Sequence, residues 1–389
     1  MVWDFVLSLF HSLLAAFQTL TSWLTGSFLF NNKMAPAPNP APVTFILPDL
    51  EKTFNSLPDD GLNPHHDVAC AESREWFAKY NKKVLGAQMQ EFFRRCKFEL
   101  ITSYTYPYVD KEGLRATMDW HNILWFFDEV TDTETGKDAH KSAIITIRTL
   151  REPDFDDGSS LCRMVRDFRL SHLSRAGPEC TRRFLEHCDV AFHAGAVEAE
   201  LREKGEVLSI EGYLKLRRET SGARTCFDMA EYLMDIDLPQ DMYDDPVFQK
   251  GYIAALDLIF LANDLYSYNM EQAKGHNGAN VLTVVMKETK LNLQSAADYV
   301  GVLCEKLIKQ FQEAKSTLEN RLAKEKNPAK AAALKDAIRS LVGYGHWVRG
   351  NVEWSFETER YFGKKNKEIK KSRVVTLTPT NSVNRALKA

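Results

Sequence analysis

The stretch from Tyr252 to Gly275 constrains this chain more than any other. Leu256, Leu258, Ile259, Phe260 and Leu261 leave its first turns apolar almost all round, and a helix without a polar face has to be wrapped by a larger core. Into that surround the sequence sets Asn263, Ser267 and Glu271, which recur at i, i+4 and i+8 and so share one helix face. Buried oxygens need partners. An amide carbonyl, a hydroxyl and a carboxylate in register suit a hard divalent cation such as Mg²⁺, which leaves positions for water and phosphate oxygens. Taken alone, the same triple also describes an ordinary solvated face.

A second stretch answers the first. In Asn122-Ile-Leu-Trp-Phe-Phe-Asp-Glu-Val-Thr-Asp132 a run of large apolar residues ends in Asp128 and Asp132, again four apart. Two helices that carry hard ligands at the end of apolar stretches can meet across a cavity that is greasy below and metal-bearing at its mouth.

Asp128-Glu-Val-Thr-Asp132 resembles the aspartate-rich motif of class I terpene synthases, and Asn263-Asp-Leu-Tyr-Ser267-Tyr-Asn-Met-Glu271 their Asn/Ser/Glu motif. The likeness is to the microbial type, in particular the fungal, basidiomycete sesquiterpene synthases. Arg217, 46 residues before Asn263, stands where that family places its diphosphate-sensing arginine, and Arg360-Tyr361 resembles its late Arg-Tyr pair. The resemblance covers roughly residues 45 to 375. It implies an all-α, single-domain helical bundle around a central apolar cavity, residues 46–375, and a lyase that ionises farnesyl diphosphate and cyclises the carbocation to a C15 hydrocarbon.

The same resemblance assigns the site. Asp128, Asp132, Asn263, Ser267 and Glu271 would hold two or three Mg²⁺ ions, with Mn²⁺ as a substitute. Arg217, Lys274, Arg360 and Tyr361 would bind the diphosphate, and Trp125 and Trp354 would stand on the wall where a ring face can meet a cation. One departure is Met270, where many relatives carry a basic residue; Lys274, one turn later, is the replacement expected. Glu129 in place of a second aspartate resembles the Asp-Glu-x-x-Asp branch of basidiomycete enzymes, which includes makers of humulyl-derived skeletons such as protoilludene. A chain-elongating prenyltransferase shares this fold and these metals but has a second aspartate-rich motif where this chain has Asn263, Ser267 and Glu271. A helical scaffold with vestigial motifs is the remaining alternative.

The rest of the chain agrees with a helical domain. Segments at 73–98, 111–131, 137–150, 161–173, 178–202, 210–233, 246–274, 293–325 and 328–356 lack strand alternation and are parted by Gly, Pro or charged turns. The net charge of −3 over 389 residues, with mixed signs, gives no case for nucleic acid. Seven scattered cysteines without a Cys-x-x-Cys pair read as reduced thiols, and Cys188 near His187 and His193 has poor zinc spacing. Asp154-Phe-Asp-Asp157 spells the acidic motif of alkene-protonating cyclases, but Pro153 and Gly158 make it a turn.

Residues 1–33 form an apolar extension without charge between Phe5 and Asn32. It reads as a membrane anchor, an interfacial aromatic helix, or sequence misjoined ahead of a start at Met34. Membrane contact is expected only there, and the enzyme is expected in the cytoplasm as a monomer or homodimer. A Pro/Ala-rich tail follows at 34–45, and residues 376–389 are expected to be disordered.

Overall fold

The computed structural model describes residues 43–81, 84–131, 134–173 and 176–379. The extension at 1–33, most of the Pro/Ala-rich tail and Asp132 lie outside the described residues. The two ends of the described chain are tied together. Strand β1 (Thr44–Ile46) pairs antiparallel with β2 (Val374–Thr376), with Phe45 opposite Val375 and both buried. Beyond the strand, the Thr378 N–H donates to Asn269 Oδ1 at 2.8 Å and its carbonyl accepts from Gln272 at 2.7 Å. Thr376 is thus paired in the ribbon, the Leu377 N–H donates to the Val43 carbonyl at 2.8 Å and Thr378 is bonded to Asn269 and Gln272, whereas disorder was expected from 376 onward.

The body is helical, as the sequence predicts. In chain order it comprises α1 (His66–Asn81), α2 (Ala87–Cys96), α3 (Phe98–Thr105), α4 (Lys111–Thr131), α5 (Gly136–Arg151), α6 (Ser160–His172) and α7 (Pro178–Lys204). Then come α8 (Ile210–Thr220), α9 (Ala223–Leu233), α10 (Pro246–Lys274), α11 (Val281–Thr289), α12 (Leu293–Leu322), α13 (Pro328–Ser355) and α14 (Asn366–Ser372). Ser, Thr, Asp and Asn caps start many of them: Thr135, Ser159, Ser209, Asp245, Asn280, Asn292 and Asn327 each accept a backbone N–H of the first turn.

Helix α10 is the hub. It packs along α12 and α13, α13 packs on α3, and α4 lies between α1 and α3. Ala254, Ala255, Leu256, Leu258, Leu261, Ala262 and Leu265 are all fully buried, which is what its unbroken apolar surface requires. Where α13 crosses α3 only glycine fits: a Cβ on Gly350 would lie 2.7 Å from the Tyr104 carbonyl carbon.

Two segments read as continuous are broken. The helix expected over 73–98 ends at Asn81 and restarts at Ala87, and Lys97, in the left-handed region at φ 50°, turns the chain into α3. The helix expected over 210–233 stops at Thr220, because Gly222 at φ 67° takes a conformation that only glycine adopts without strain. The Asp154–Asp157 stretch is the loop between α5 and α6. Asp156 and Asp157 cap their own turn by accepting the N–H groups of Gly158 and Ser159. All seven cysteines are buried and free. His187 bonds Asp228 at 2.7 Å, and no His/Cys/Asp/Glu cluster includes Cys188 among the described residues. No helix among those residues is long and apolar enough to cross a membrane.

Candidate active site

Helices α4 and α10 face each other across a cavity of about 520 Å³. Its deep part is lined by Ile101, His121, Leu124, Phe192, Ile259 and Trp347, and its mouth by Asp128, Arg217, Asn263, Glu271, Lys274 and Arg360. Asp128 and Glu271 occupy the last turns of their helices. Helix C-termini carry a partial negative charge, so a cation bound by these two residues gains from both dipoles.

On α10 the three predicted ligands share one face. Ser267 Oγ is buried and makes no well-formed hydrogen bond, yet it lies close enough to Glu271 to help hold its carboxylate. Glu271 also accepts from Asn280 Nδ2 at 2.9 Å. Burial, with Asp264 nearby, still pushes the Glu271 carboxyl up to about 7. Oxygen donors of this kind, one of them a buried hydroxyl without a well-formed hydrogen bond, fit a hard divalent ion.

Arg217 projects from the last turn of α8. Its Nη2 donates to Asn263 Oδ1 at 2.9 Å and its Nε to Asp264 Oδ1 at 3.1 Å. Burial opposes its charge, but Asp264 and the acids beyond it more than offset that and keep the guanidinium protonated. Asp264, unmarked by the sequence reading, is the organiser here. It also accepts from the Tyr213 hydroxyl and from the Val281 N–H at 3.0 Å, and its carbonyl accepts from Asn280 at 2.9 Å. One signal was available, a carboxylate in the middle of an apolar helix.

The late Arg-Tyr pair reaches both walls. Tyr361 hydroxyl accepts from Asn263 Nδ2 at 2.8 Å on α10. On α4, Arg360 donates to Glu129 and lies 3.5 Å from Asp128, with its guanidinium 4.3 Å from the Trp125 ring centroid. Burial alone would raise the Glu129 carboxyl, but Arg360 and Lys274 hold it below the usual carboxylate range. Lys274, proposed as the replacement base, is 4.0 Å from Glu129.

The two tryptophans part company. Trp125 lines the cavity, stacked on Phe98 at 4.5 Å, and the cation over its ring is Arg360. Trp354, expected on the wall, stands behind it. It is fully buried, packs on Trp125 at 6.0 Å and Tyr361 at 5.6 Å, and its indole N–H donates to the Lys97 carbonyl at 3.0 Å. That bond turns the ring toward the α2–α3 junction, away from the cavity. His121, at the deep end, was also missed. A histidine inside an apolar run gives little sign of facing a cavity.

A family model described as terpene synthase family 2, C-terminal metal binding, matches residues 119–310. The sesquiterpene synthase Agr5 of Cyclocybe aegerita is 52% identical over 338 residues, which cover 87% of this chain and 77% of that protein. The chain belongs to the class I terpene synthase family. A sesquiterpene synthase of Sphaerobolus stellatus is 48% identical over 86% of this chain and 94% of its own length. Among solved structures, hedycaryol synthase in complex with HEPES shares the fold at a TM-score of 0.68 and 22% identity, covering 80% of this chain and 98% of that one. Germacradien-4-ol synthase from Streptomyces citricolor does so at 0.66 and 20%, covering 75% and 96%. This terpene synthase is thus a lyase acting on a prenyl diphosphate.

Proposed function

We propose that this terpene synthase is a Mg²⁺-dependent sesquiterpene cyclase that ionises farnesyl diphosphate, cyclises the allylic carbocation and releases diphosphate with a cyclic C15 hydrocarbon. The polarity gradient of the cavity carries the reading: acids and cations at the mouth, aromatic and aliphatic side chains below. The relatives named as sesquiterpene synthases support the chain length.

Bound Mg²⁺, two or three ions with Mn²⁺ as a substitute, would neutralise the leaving diphosphate, and Asp128, Asn263, Ser267 and Glu271 would hold it. Asp132, outside the described residues, is proposed as a further ligand. Arg217 and Arg360 offer planar, bidentate donors to diphosphate oxygens, and Lys274 and the Tyr361 hydroxyl add single ones. Leu124, Trp125, Phe127 and Phe192 give the prenyl chain an apolar wall that sheds water. The Asp-Glu-x-x-Asp form of the first motif supports a humulyl-derived skeleton such as protoilludene. The buried, reduced thiols support a cytoplasmic setting, and a monomer or homodimer suffices because the cavity is built from one chain.

The test is gas chromatography with mass spectrometry of purified protein given farnesyl or geranyl diphosphate, with Mg²⁺ or with chelator. A cyclic C15 hydrocarbon that disappears with chelator and in Asn263→Ala/Ser267→Ala is the expected result. Longer linear diphosphates would instead make it an elongating prenyltransferase. No diphosphate release from a folded protein would leave only a scaffold.

A further inference from the structure

His121 lies on α4 seven residues before Asp128, and both line the cavity. At 1.5 Å per residue the two are about 10 Å apart along one helix face, so His121 sits far below the diphosphate end. It is 4% exposed in the structure, and its surroundings fix its chemistry. Nδ1 lies 3.3 Å from the Thr117 carbonyl, which can only accept, so Nδ1 carries the proton and Nε2 the lone pair. Nε2 lies 4.0 Å from the Cys226 sulfur, a thiol that burial keeps protonated and that is at best a weak donor. Trp347 stacks on the imidazole, centroids 5.2 Å apart and planes 25° from parallel.

Burial lowers the His121 pKa to about 4, so the ring is neutral at cellular pH and does not repel a cation held beside it. Asn351, also on the cavity surface, is an amide that donates to the Ile259 carbonyl at 3.1 Å and has no basic nitrogen. The acids and the diphosphate site are at the other end.

We propose that His121 is a catalytic residue, the terminal base of the cyclisation, and this rests on the sesquiterpene cyclase reading above. In this step the C–H bond next to the final cationic carbon breaks and its electron pair becomes the new C=C bond. The proton goes to Nε2. The imidazolium so formed stacks on Trp347 and returns the proton to water once the hydrocarbon has left. A base at this depth removes protons from carbons remote from C1, which diphosphate at the mouth does not reach.

The experiment compares wild type, His121→Ala and His121→Gln with farnesyl diphosphate and Mg²⁺, reading product ratios by mass spectrometry and folding by thermal melts. His121→Gln keeps the volume should His121→Ala fail to fold. Both variants are expected to lose the principal product at least tenfold as a share of total products, with other alkenes or water-captured alcohols rising. Added imidazole should restore the wild-type ratio in His121→Ala, and benzene, an apolar filler, should not. An unchanged ratio in either folded variant overturns the proposal, as does equal rescue by benzene, which would mean packing alone. A wild-type product that carries oxygen also overturns it, since the proton then leaves a water. Absence of any volatile product from wild type defeats the cyclase reading itself, a different result from an unchanged ratio.

Discussion

Replacing Asp264 with asparagine tests how Arg217 is held. The carboxylate takes Nε–H of Arg217 at 3.1 Å, the Val281 N–H at 3.0 Å and the Tyr213 hydroxyl, with the residue 1% exposed. Asparagine keeps the shape but turns one oxygen into a group with two donors, set among groups that already donate. The less costly arrangement points that amide at Tyr213, whose hydroxyl turns to donate to the Ala279 carbonyl 3.1 Å away. The Val281 N–H then loses its acceptor, at about 1–3 kcal/mol, and Arg217 loses its buried counter-ion, which adds roughly 2 kcal/mol. A total of about 3–5 kcal/mol corresponds to a melting point lower by roughly 4–7 °C for a domain of this size. Arg217→Met should cost less in the Asp264→Asn background than in wild type, by about 1–3 kcal/mol, because the partner is already gone. Thermal melts of the four proteins measure both quantities. A melting point for Asp264→Asn within about 2 °C of wild type, or strictly additive losses, would refute the argument.

Three further outcomes follow from single sites. His121 has a folded-state pKa of about 4, below the ordinary 6.5, so its contribution to stability is complete above pH 6.5 and is lost as pH falls toward 4. At pH 5 the loss is about 2 kcal/mol, and His121→Gln should flatten the melting curve between pH 7 and 5 by that amount; a curve parallel to wild type counts against it. Ser267→Ala should weaken Mg²⁺ binding in the presence of inorganic diphosphate by about tenfold by calorimetry. Its metal-free melting point should stay the same or rise slightly, since the buried hydroxyl has no well-formed bond to lose, and a large fall would contradict that. Gly350→Ala should destabilise by about 2–3 kcal/mol, because its Cβ would meet the Tyr104 carbonyl oxygen at 2.8 Å, and an undisturbed melting point would mean that α13 and α3 are not so close.

What could be read from the sequence is what one helix decides by itself. The run at 246–274 announces a buried helix, and the four-residue spacing of Asn263, Ser267 and Glu271 puts them on one face. What could not be read depends on partners distant in the chain. The β1–β2 ribbon is three residues on each side, too short to signal a strand without the other. Trp354 and Trp125 look alike as aromatics before a charged motif. The first is turned by a bond to Lys97, 257 residues away, and the second is covered by Arg360, 235 residues on. His121 could not be told from a core histidine until Trp347 and Cys226 were placed around it.

The two motifs nevertheless share a rule that lies in their wording. Successive residues on a helix point about 100° apart, so the residue after a cavity-facing ligand looks sideways into the protein. After Asp128, whose side chain is 51% exposed, comes Glu129 at 4%, and after Asn263 comes Asp264 at 1%. Each of these buried acids grips an arginine brought from another element, Glu129 holding Arg360 and Asp264 holding Arg217. A lone buried carboxylate is costly and so is a lone buried guanidinium, but as pairs they keep two cations at the mouth of an otherwise apolar cavity. In each motif a proposed metal ligand and the anchor of a proposed diphosphate donor are thus consecutive residues. A one-residue slip of α10 would carry Asp264 to the cavity position of Asn263 and Asn263 to the position of Ala262, which is fully buried.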